Sequence, residues 1–298
     1  MILVVGLSSV WQRTLFFNEI CPGEVNRATR VLETASGKGV NVARVATLLG
    51  AKARVLTLAG GQRGKLFRQA LNVDGVGARI VPVAGETRVC QTLVGGDVVT
   101  ELVEEAPALR ALEVRAVLRA FEGELKRARL LVLSGTVPVG CGEDFYARLA
   151  RLAKRRGVPV VVDAQRTQLL GVVREGPVLV KVNAAELALA TGKKSVVAGV
   201  AELRRLGAGD VVISQGKGPV LVFEGNESWS VRPVRVKALN PIGSGDAMLA
   251  GMVTVLWRGG DLREALRWGV ACGAANALTA TSGVVRLADV QRLLRVVS

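Results

Sequence analysis

The chain has 298 residues, half of them hydrophobic, with a formal net charge of +15 and no histidine. That is the composition of a folded globular chain, not a disordered or fibrous one. The missing histidine excludes Ser-His-Asp and Cys-His catalysis, HExxH zinc sites and any mechanism with an imidazole base. A general base must be Asp, Glu, Lys, Tyr or Cys. Cys21, Cys90, Cys141 and Cys272 form no CxxC pair, which argues against a zinc ribbon and suits a reducing, cytoplasmic setting. The basic residues are spread along the chain and not gathered in one tail, so we expect steering of anionic small molecules without a nucleic-acid partner. No uncharged stretch reaches the roughly 20 apolar residues of a membrane span, so no membrane partner is expected.

In chain order, short Val/Leu/Ile runs alternate with helical periodicity. Ile2–Leu7, Arg54–Ala59, Leu130–Leu133, Val158–Val162, Val178–Val182 and Val211–Ser214 read as strands buried on both faces of a parallel sheet. Helical spacing fills Val40–Leu49, Leu109–Arg127, Asp144–Arg156, Ala184–Ala190 and Val196–Leu206. Val220–Phe223 and Ser228–Val234 read as a hairpin, followed by helices over Ser244–Arg258, Leu262–Thr279 and Leu287–Val296. Two regions break the rhythm. Ser8–Glu33 is polar and irregular, with short strands expected; Arg88–Val94 and Val98–Val103 form a strand pair around Gly95-Gly96-Asp97. Together they predict a small sheet projecting from a doubly wound α/β body.

Four Gly-rich or polar segments fall where strands meet helices. Asn240-Pro241-Ile242-Gly243-Ser244-Gly245-Asp246 leads into a small apolar helix. Glycines at such a junction let backbone N–H groups converge on an anion, aided by the helix terminus. An Asp beside them offers a base for an attacking hydroxyl, the pairing that phosphoryl transfer to an alcohol requires. A plain Gly-rich turn with Ser244 or Asp246 as helix cap is the competing explanation. Ala35-Ser36-Gly37-Lys38-Gly39-Val40-Asn41 is a second such loop; it has neither Walker A nor Gly-x-Gly-x-x-Gly spacing. Lys181-Val182-Asn183-Ala184-Ala185-Glu186 puts Asn183 and Glu186 on one helix face, fit either for Mg²⁺ water or for a capping box. Ser214-Gln215-Gly216-Lys217-Gly218 is a strand-to-hairpin turn.

In this order and spacing, the segments resemble the PfkB, or ribokinase-like, carbohydrate kinases along nearly the whole chain. Gly37–Ala43 is similar to the first family signature, Gly243–Asp246 to the second, and Ser134-Gly135-Thr136-Val137-Pro138 to the family's Ser-Gly-Ser-x-Pro. Thr87-Arg88 and the stretch from Thr100 to Pro107 resemble the phosphofructokinase branch, which includes 1-phosphofructokinase and tagatose-6-phosphate kinase.

The resemblance implies a ribokinase-like three-layer αβα sandwich with a β lid formed by residues 8–33 and 87–105, all within one kinase domain over 1–298. It implies Asp246 as base, with the backbone N–H groups of Gly243, Ser244 and Gly245 on the transferred phosphoryl. It gives Asn183 and Glu186 to Mg²⁺-ATP, with Lys181 near the phosphates. Ser214, Gly216 and Gly218 would line the nucleotide, with Asn276 near the adenine. Gly37, Lys38, Asn41 and the residue at position 12 would hold the sugar, and Arg88 with Arg27 an existing phosphate. A homodimer through the lid is expected. Four departures stand out: Gln12 replaces an Asp, Ser36 the first Gly, Val182 a Pro, and the stretch after Asp163 lacks its Ser/Thr-Gly. They leave two alternatives open: a kinase of an unphosphorylated sugar or nucleoside, and a non-catalytic basic binding protein.

Overall fold

The computed structural model describes residues 1–96 and 98–297. Asp97, expected in the lid turn, lies outside them. The larger sheet is built from β1 (Ile2–Val5), β4 (Ala53–Ala59), β5 (Ala78–Pro82), β8 (Leu130–Ser134), β9 (Val160–Asp163), β10 (Leu179–Asn183), β11 (Asp210–Ser214), β12 (Val220–Glu224) and β13 (Glu227–Val231). Their order across the sheet is β13-β12-β11-β10-β9-β8-β1-β4-β5. The strands from β11 to β5 are parallel, while β12 and β13 add an antiparallel hairpin.

The alternation of side chains along β1 builds two cores. Ile2 and Val4 face one core with the helices α1 (Lys38–Leu48), α2 (Gly61–Val73), α8 (Ser244–Arg258), α9 (Leu262–Ala277) and α10 (Leu287–Leu294). Leu3 and Val5 face the other, with α3 (Ala111–Leu125), α4 (Phe145–Lys154), α5 (Arg166–Val173), α6 (Ala184–Thr191) and α7 (Val196–Leu206). All four residues of β1 are fully buried. A strand with both faces covered therefore reads as a continuous apolar run. This is the three-layer α/β architecture the sequence implies. No helix among the described residues is long and apolar enough to cross a membrane.

The second sheet, ordered β3-β2-β6-β7, uses β2 (Val10–Phe17), β3 (Arg30–Ser36), β6 (Arg88–Gly95) and β7 (Val98–Val103). Here the expectation of short, irregular strands needs correction. β2 has eight residues and β3 seven, paired antiparallel from Val10↔Ser36 to Phe16↔Arg30. The strand pairing continues to Ser36, beyond the expected boundary at residue 33. The polar residues that suggested irregularity occupy alternate positions: Gln12 and Thr14 point to the buried face, Arg13 to the more open one.

Three elements lie outside the expected set. Helix α2 carries two glycines and buries only Gly64, Phe67 and Leu71, a thin apolar stripe. Strand β5 is an edge strand ending in Pro82, tolerated because an edge N–H needs no ladder partner. Helix α5 begins at Arg166, whose φ of +50° departs from helical backbone. The hairpin strand ends at Val231, short of the expected Val234.

Candidate active site

Strand order reverses around β1, whose neighbours are β4 and β8, and the parallel strands all end on the same side. Such a crevice at the carboxyl ends is where open α/β sheets bind ligands. Ser134, Asp163, Asn183 and Ser214 terminate β8, β9, β10 and β11 there, and α1 and α8 start beside them.

Helix α8 opens with Gly243 as its cap at φ +85°, the left-handed region. A β-carbon at Gly243 would stand 2.6 Å from the Gly283 nitrogen, so both conformation and contact require glycine. The Ser244 N–H donates to the Pro241 carbonyl at 3.2 Å. The N–H groups of Gly243 and Gly245 have no partner among the described residues. Lys181 Nζ lies 3.1 Å from where a β-carbon of Gly245 would be, which brings a cation to the loop.

Asp246, in the first turn of α8, is buried. Burial raises its carboxyl to about 6, against the opposing pull of Lys38, the hydrogen bond from Asn41 and Lys181. Asn41 Nδ2 donates to Asp246 Oδ2 at 2.8 Å.

Asp163 is a functional candidate that the sequence reading passed over. It is fully buried; Lys181 Nζ stands 2.7 Å from Oδ2 and Lys38 Nζ 3.2 Å from Oδ1. Burial alone would raise its carboxyl, but the two ammonium groups hold it below the ordinary carboxylate value. Lys38 in turn is held well above its usual value, chiefly by Asp163. A carboxylate closing an otherwise apolar, buried strand was the available signal. Lys38 also reaches Glu186 Oε1 at 3.3 Å, and Gln165 Nε2 donates to the same oxygen at 2.9 Å. Asn183 and Glu186 do form a capping box: Asn183 Oδ1 accepts from the Glu186 N–H, and Glu186 Oε2 from the Asn183 N–H.

A cavity of about 110 Å³ opens between the two sheets, lined by Gly6, Ser8, Lys38, Gly39, Arg88 and Ser134-Gly135-Thr136. Ser8 Oγ, Ser134 Oγ and Arg88 Nε are buried without a hydrogen-bond partner. Arg88 Nη1 donates to the Glu104 carbonyl at 2.7 Å, which fixes the guanidinium at the cavity wall.

Other expected residues fall elsewhere. Gln12 is buried in the second sheet, and its Nε2 donates to Thr92 Oγ1 at 2.9 Å. Asn276 is fully buried and braces the anion loop: Nδ2 donates to the Ile242 carbonyl and to Ser244 Oγ, and Oδ1 accepts from the Gly283 N–H. Arg27 is exposed in the segment between β2 and β3, with no hydrogen bond or ion pair to the site among the described residues. Ser36, which stands at the first Gly of the signature, is buried and hydrogen-bonded to Asn41 and Ser282. Ser214 sits level with Asn183 in the β10–β11 register, and Gly216 and Gly218 follow in a turn open to solvent at Gly216.

Residues 1–284 match the family model described as pfkB family carbohydrate kinase. Among solved structures, the chain is similar to phosphofructokinase-2 from Escherichia coli in complex with fructose-6-phosphate. The identity is 26% and the TM-score 0.86, over 99% of this chain and 98% of that one. It is also similar to a possible 1-phosphofructokinase from Thermotoga maritima, with 24% identity, TM-score 0.90 and coverage of 100% and 98%. A ribokinase from Thermotoga maritima shares the fold at 21% identity and TM-score 0.80, with 99% of each chain covered.

Proposed function

The chain belongs to the pfkB family of ATP-dependent carbohydrate kinases, and from that premise we propose that it phosphorylates a hydroxyl of a phosphorylated ketohexose. Fructose 6-phosphate, fructose 1-phosphate and tagatose 6-phosphate are the candidate acceptors. The observation that carries the reading is the cavity beside Lys38. Ser8, Ser134 and Arg88 line it, and each carries a buried polar atom without a partner. Unpartnered buried polar atoms are costly unless a ligand satisfies them. A guanidinium beside hydroxyls suits a phosphate group on that ligand.

The chemistry follows from the arrangement. Asp246 takes the proton of the attacking hydroxyl, and its raised basicity suits it to that work near neutral pH. The free N–H groups of Gly243 and Gly245, with Lys181 beside them, stabilise charge on the transferred phosphoryl group. Ser214, Gly216 and Gly218 lie where the nucleotide would extend along the sheet edge. Glu186 and Asp163 both face the ammonium of Lys38, so two hard oxygen donors stand close together. That set fits Mg²⁺ held through water and nucleotide phosphates, with Glu186, Asp163 and Asn183 as its protein side. Bound there, the metal would neutralise phosphate charge. Among the described residues no group of three or more acidic or thiol ligands forms a cage of its own.

The second sheet then acts as a lid. Val31, Val98, Leu102 and Val103 are exposed on it, and a homodimer would cover them. The free thiols suit a cytoplasmic location. A kinase of an unphosphorylated sugar is the second reading, favoured by Gln12: an amide engaged with Thr92 stands where a free carboxylate would grip hydroxyls.

The test is ADP release from Mg²⁺-ATP with a panel of phosphorylated ketohexoses, free hexoses, ribose and nucleosides. Turnover on one phosphorylated ketohexose is expected. Turnover only on an unphosphorylated acceptor overturns the acceptor class and keeps the kinase.

A further inference from the structure

The base Asp246 is held by a one-way chain of hydrogen bonds that begins at Ser282. Asn41 Nδ2 donates to Asp246 Oδ2 at 2.8 Å. Asn41 Oδ1 faces two donors, Ser36 Oγ at 3.0 Å and Arg44 Nη1 at 3.3 Å. A guanidinium can only donate, so the oxygen of the Asn41 amide must face Arg44 and Ser36, and its NH₂ must face Asp246. Ser36 Oγ is also 3.1 Å from Ser282 Oγ. With the Ser36 hydrogen directed to Asn41, Ser282 donates to Ser36. The order is Ser282 to Ser36 to Asn41 to Asp246, and every member except Asp246 passes a donor forward.

The amide has no freedom to leave this arrangement. Gly283 packs its backbone against it: a β-carbon there would lie 2.3 Å from Asn41 Cγ, and φ is +66°. Asn41, Ser36 and Ser282 are all nearly excluded from solvent.

A carboxylate oxygen that accepts from an amide NH₂ cannot also carry a proton on that side. Oδ2 of Asp246 therefore has one lone pair engaged by Asn41, whereas Oδ1 has no hydrogen-bond partner among the described residues and is the oxygen open to a proton. We propose that Ser36 is a positioning residue for the base: by fixing the Asn41 amide, it reserves Oδ1 of Asp246 for the proton of the acceptor hydroxyl. The inference rests on the reading of Asp246 as the base of an ATP-dependent kinase. In the step it serves, the acceptor O–H bond breaks and its proton goes to Oδ1. The acceptor oxygen forms the new bond to the γ-phosphorus, and the bond from phosphorus to the ADP oxygen breaks with its electron pair on ADP. The charged groups acting on Asp246 are Lys38 from α1, Asp163 from β9 and Lys181 from β10. None of them replaces the contact at Oδ2. Arg44 acts through Asn41 and is itself anchored by Asp74 at 2.9 Å.

The test is Ser36→Ala in the full chain, with Ser36→Thr as the variant that keeps the hydroxyl. The Asp246 carboxyl is followed by NMR of ¹³C-labelled aspartate, assigned by its loss in Asp246→Asn. The expected result in Ser36→Ala is an upward move of the Asp246 titration by about half a pH unit, as the hydrogen bond to the ionised form loosens. A fall in kcat of about threefold on the acid side, with KM for ATP unchanged, should accompany it. Ser36→Thr should restore both. A merely structural Ser36 lowers the melting temperature and leaves the titration where it was; that outcome overturns the proposal. A wild-type protein that transfers phosphate to no acceptor overturns the reading of Asp246 as base, a separate result, because the titration is measured without turnover.

Discussion

Lys181 Nζ lies 2.7 Å from Asp163 Oδ2, and the two groups are 4% and 0% exposed. Lys38 approaches the other carboxylate oxygen at 3.2 Å. One buried carboxylate therefore bridges two ammonium groups, from α1 and β10, and Glu186 supplies the second negative charge beside Lys38. Removing it leaves Lys181 buried with no carboxylate partner, while Lys38 keeps Glu186; breaking a buried pair in this way is strongly destabilising. Asp163→Asn is expected to lower stability by about 3–5 kcal/mol in urea unfolding at pH 7. A loss under about 1 kcal/mol would show that water or rearrangement solvates the lysines. The pH sign follows from the lowered carboxyl. The contribution of Asp163 is complete above its unfolded value of 3.8 and is lost only as pH falls through the depressed folded one.

Asp246 has the opposite sign. Its folded carboxyl sits near 6 against 3.8 for the free group, so the folded protein holds this proton more tightly than the unfolded chain. Stability from this site is therefore present below about 3.8 and declines as pH rises through 6. Asp246→Asn should make the protein more stable above pH 6, by roughly 2–3 kcal/mol, and leave it unchanged in strong acid. The same substitution should reduce kcat by several decades while Mg²⁺-ATP still binds in calorimetry. In the wild type, kcat should fall on the acid side of about 6 as the base is protonated. Near-normal turnover of Asp246→Asn would remove it as the base.

The division between what the sequence displayed and what it hid has physical reasons. The parallel strands were legible because both their faces are buried, so Ile2–Val5 and Leu130–Leu133 leave no polar residue to confuse the pattern. Both Gly-rich loops were legible because backbone approach forces glycine at fixed positions. Helix α2 was not, because its buried stripe is three residues wide over thirteen. The role of Asp163 was hidden by distance: its partners Lys38 and Lys181 lie 125 and 18 residues away in the chain. Asn41 and Asn276 show the same limit. Each was singled out in the sequence, but only the fold shows that their amides brace Asp246 and the loop before α8, and which atom each one holds.

Arg88 gives a test of acceptor charge. It lines the cavity with its guanidinium anchored to the Glu104 carbonyl and its Nε buried without a partner. Arg88→Ala should raise KM for a phosphorylated acceptor by about tenfold or more, because charge-assisted hydrogen bonds to phosphate are lost. KM for ATP should stay within about twofold, since Ser214, Gly216 and Gly218, proposed for the nucleotide, are not among the residues that line this cavity. Equal effects on phosphorylated and free sugars would sink the phosphate-binding role.

Arg166 carries a conformational load that can be read directly. It is the one non-glycine residue among those described with positive φ, at +50°, and it sits at the start of α5 three residues after Asp163. A β-carbon in the left-handed region crowds the following carbonyl and costs roughly 1–2 kcal/mol. Glycine relieves that crowding but gives the unfolded chain more freedom, which returns about 0.5–1 kcal/mol of the gain. The balance favours Arg166→Gly over the native residue by up to about 1 kcal/mol in urea unfolding. Arg166→Val should move the other way, because a β-branched residue tolerates this backbone least. If Arg166→Gly instead loses stability, the guanidinium makes a contact that outweighs the strain. If both variants match the native protein, the backbone at 166 is free to relax and Gln165 need not be held against Glu186 by it. The expected gain in stability with a retained Gln165–Glu186 contact would mean that the turn after Asp163 is shaped by the fold, and that Arg166 is kept there despite its backbone.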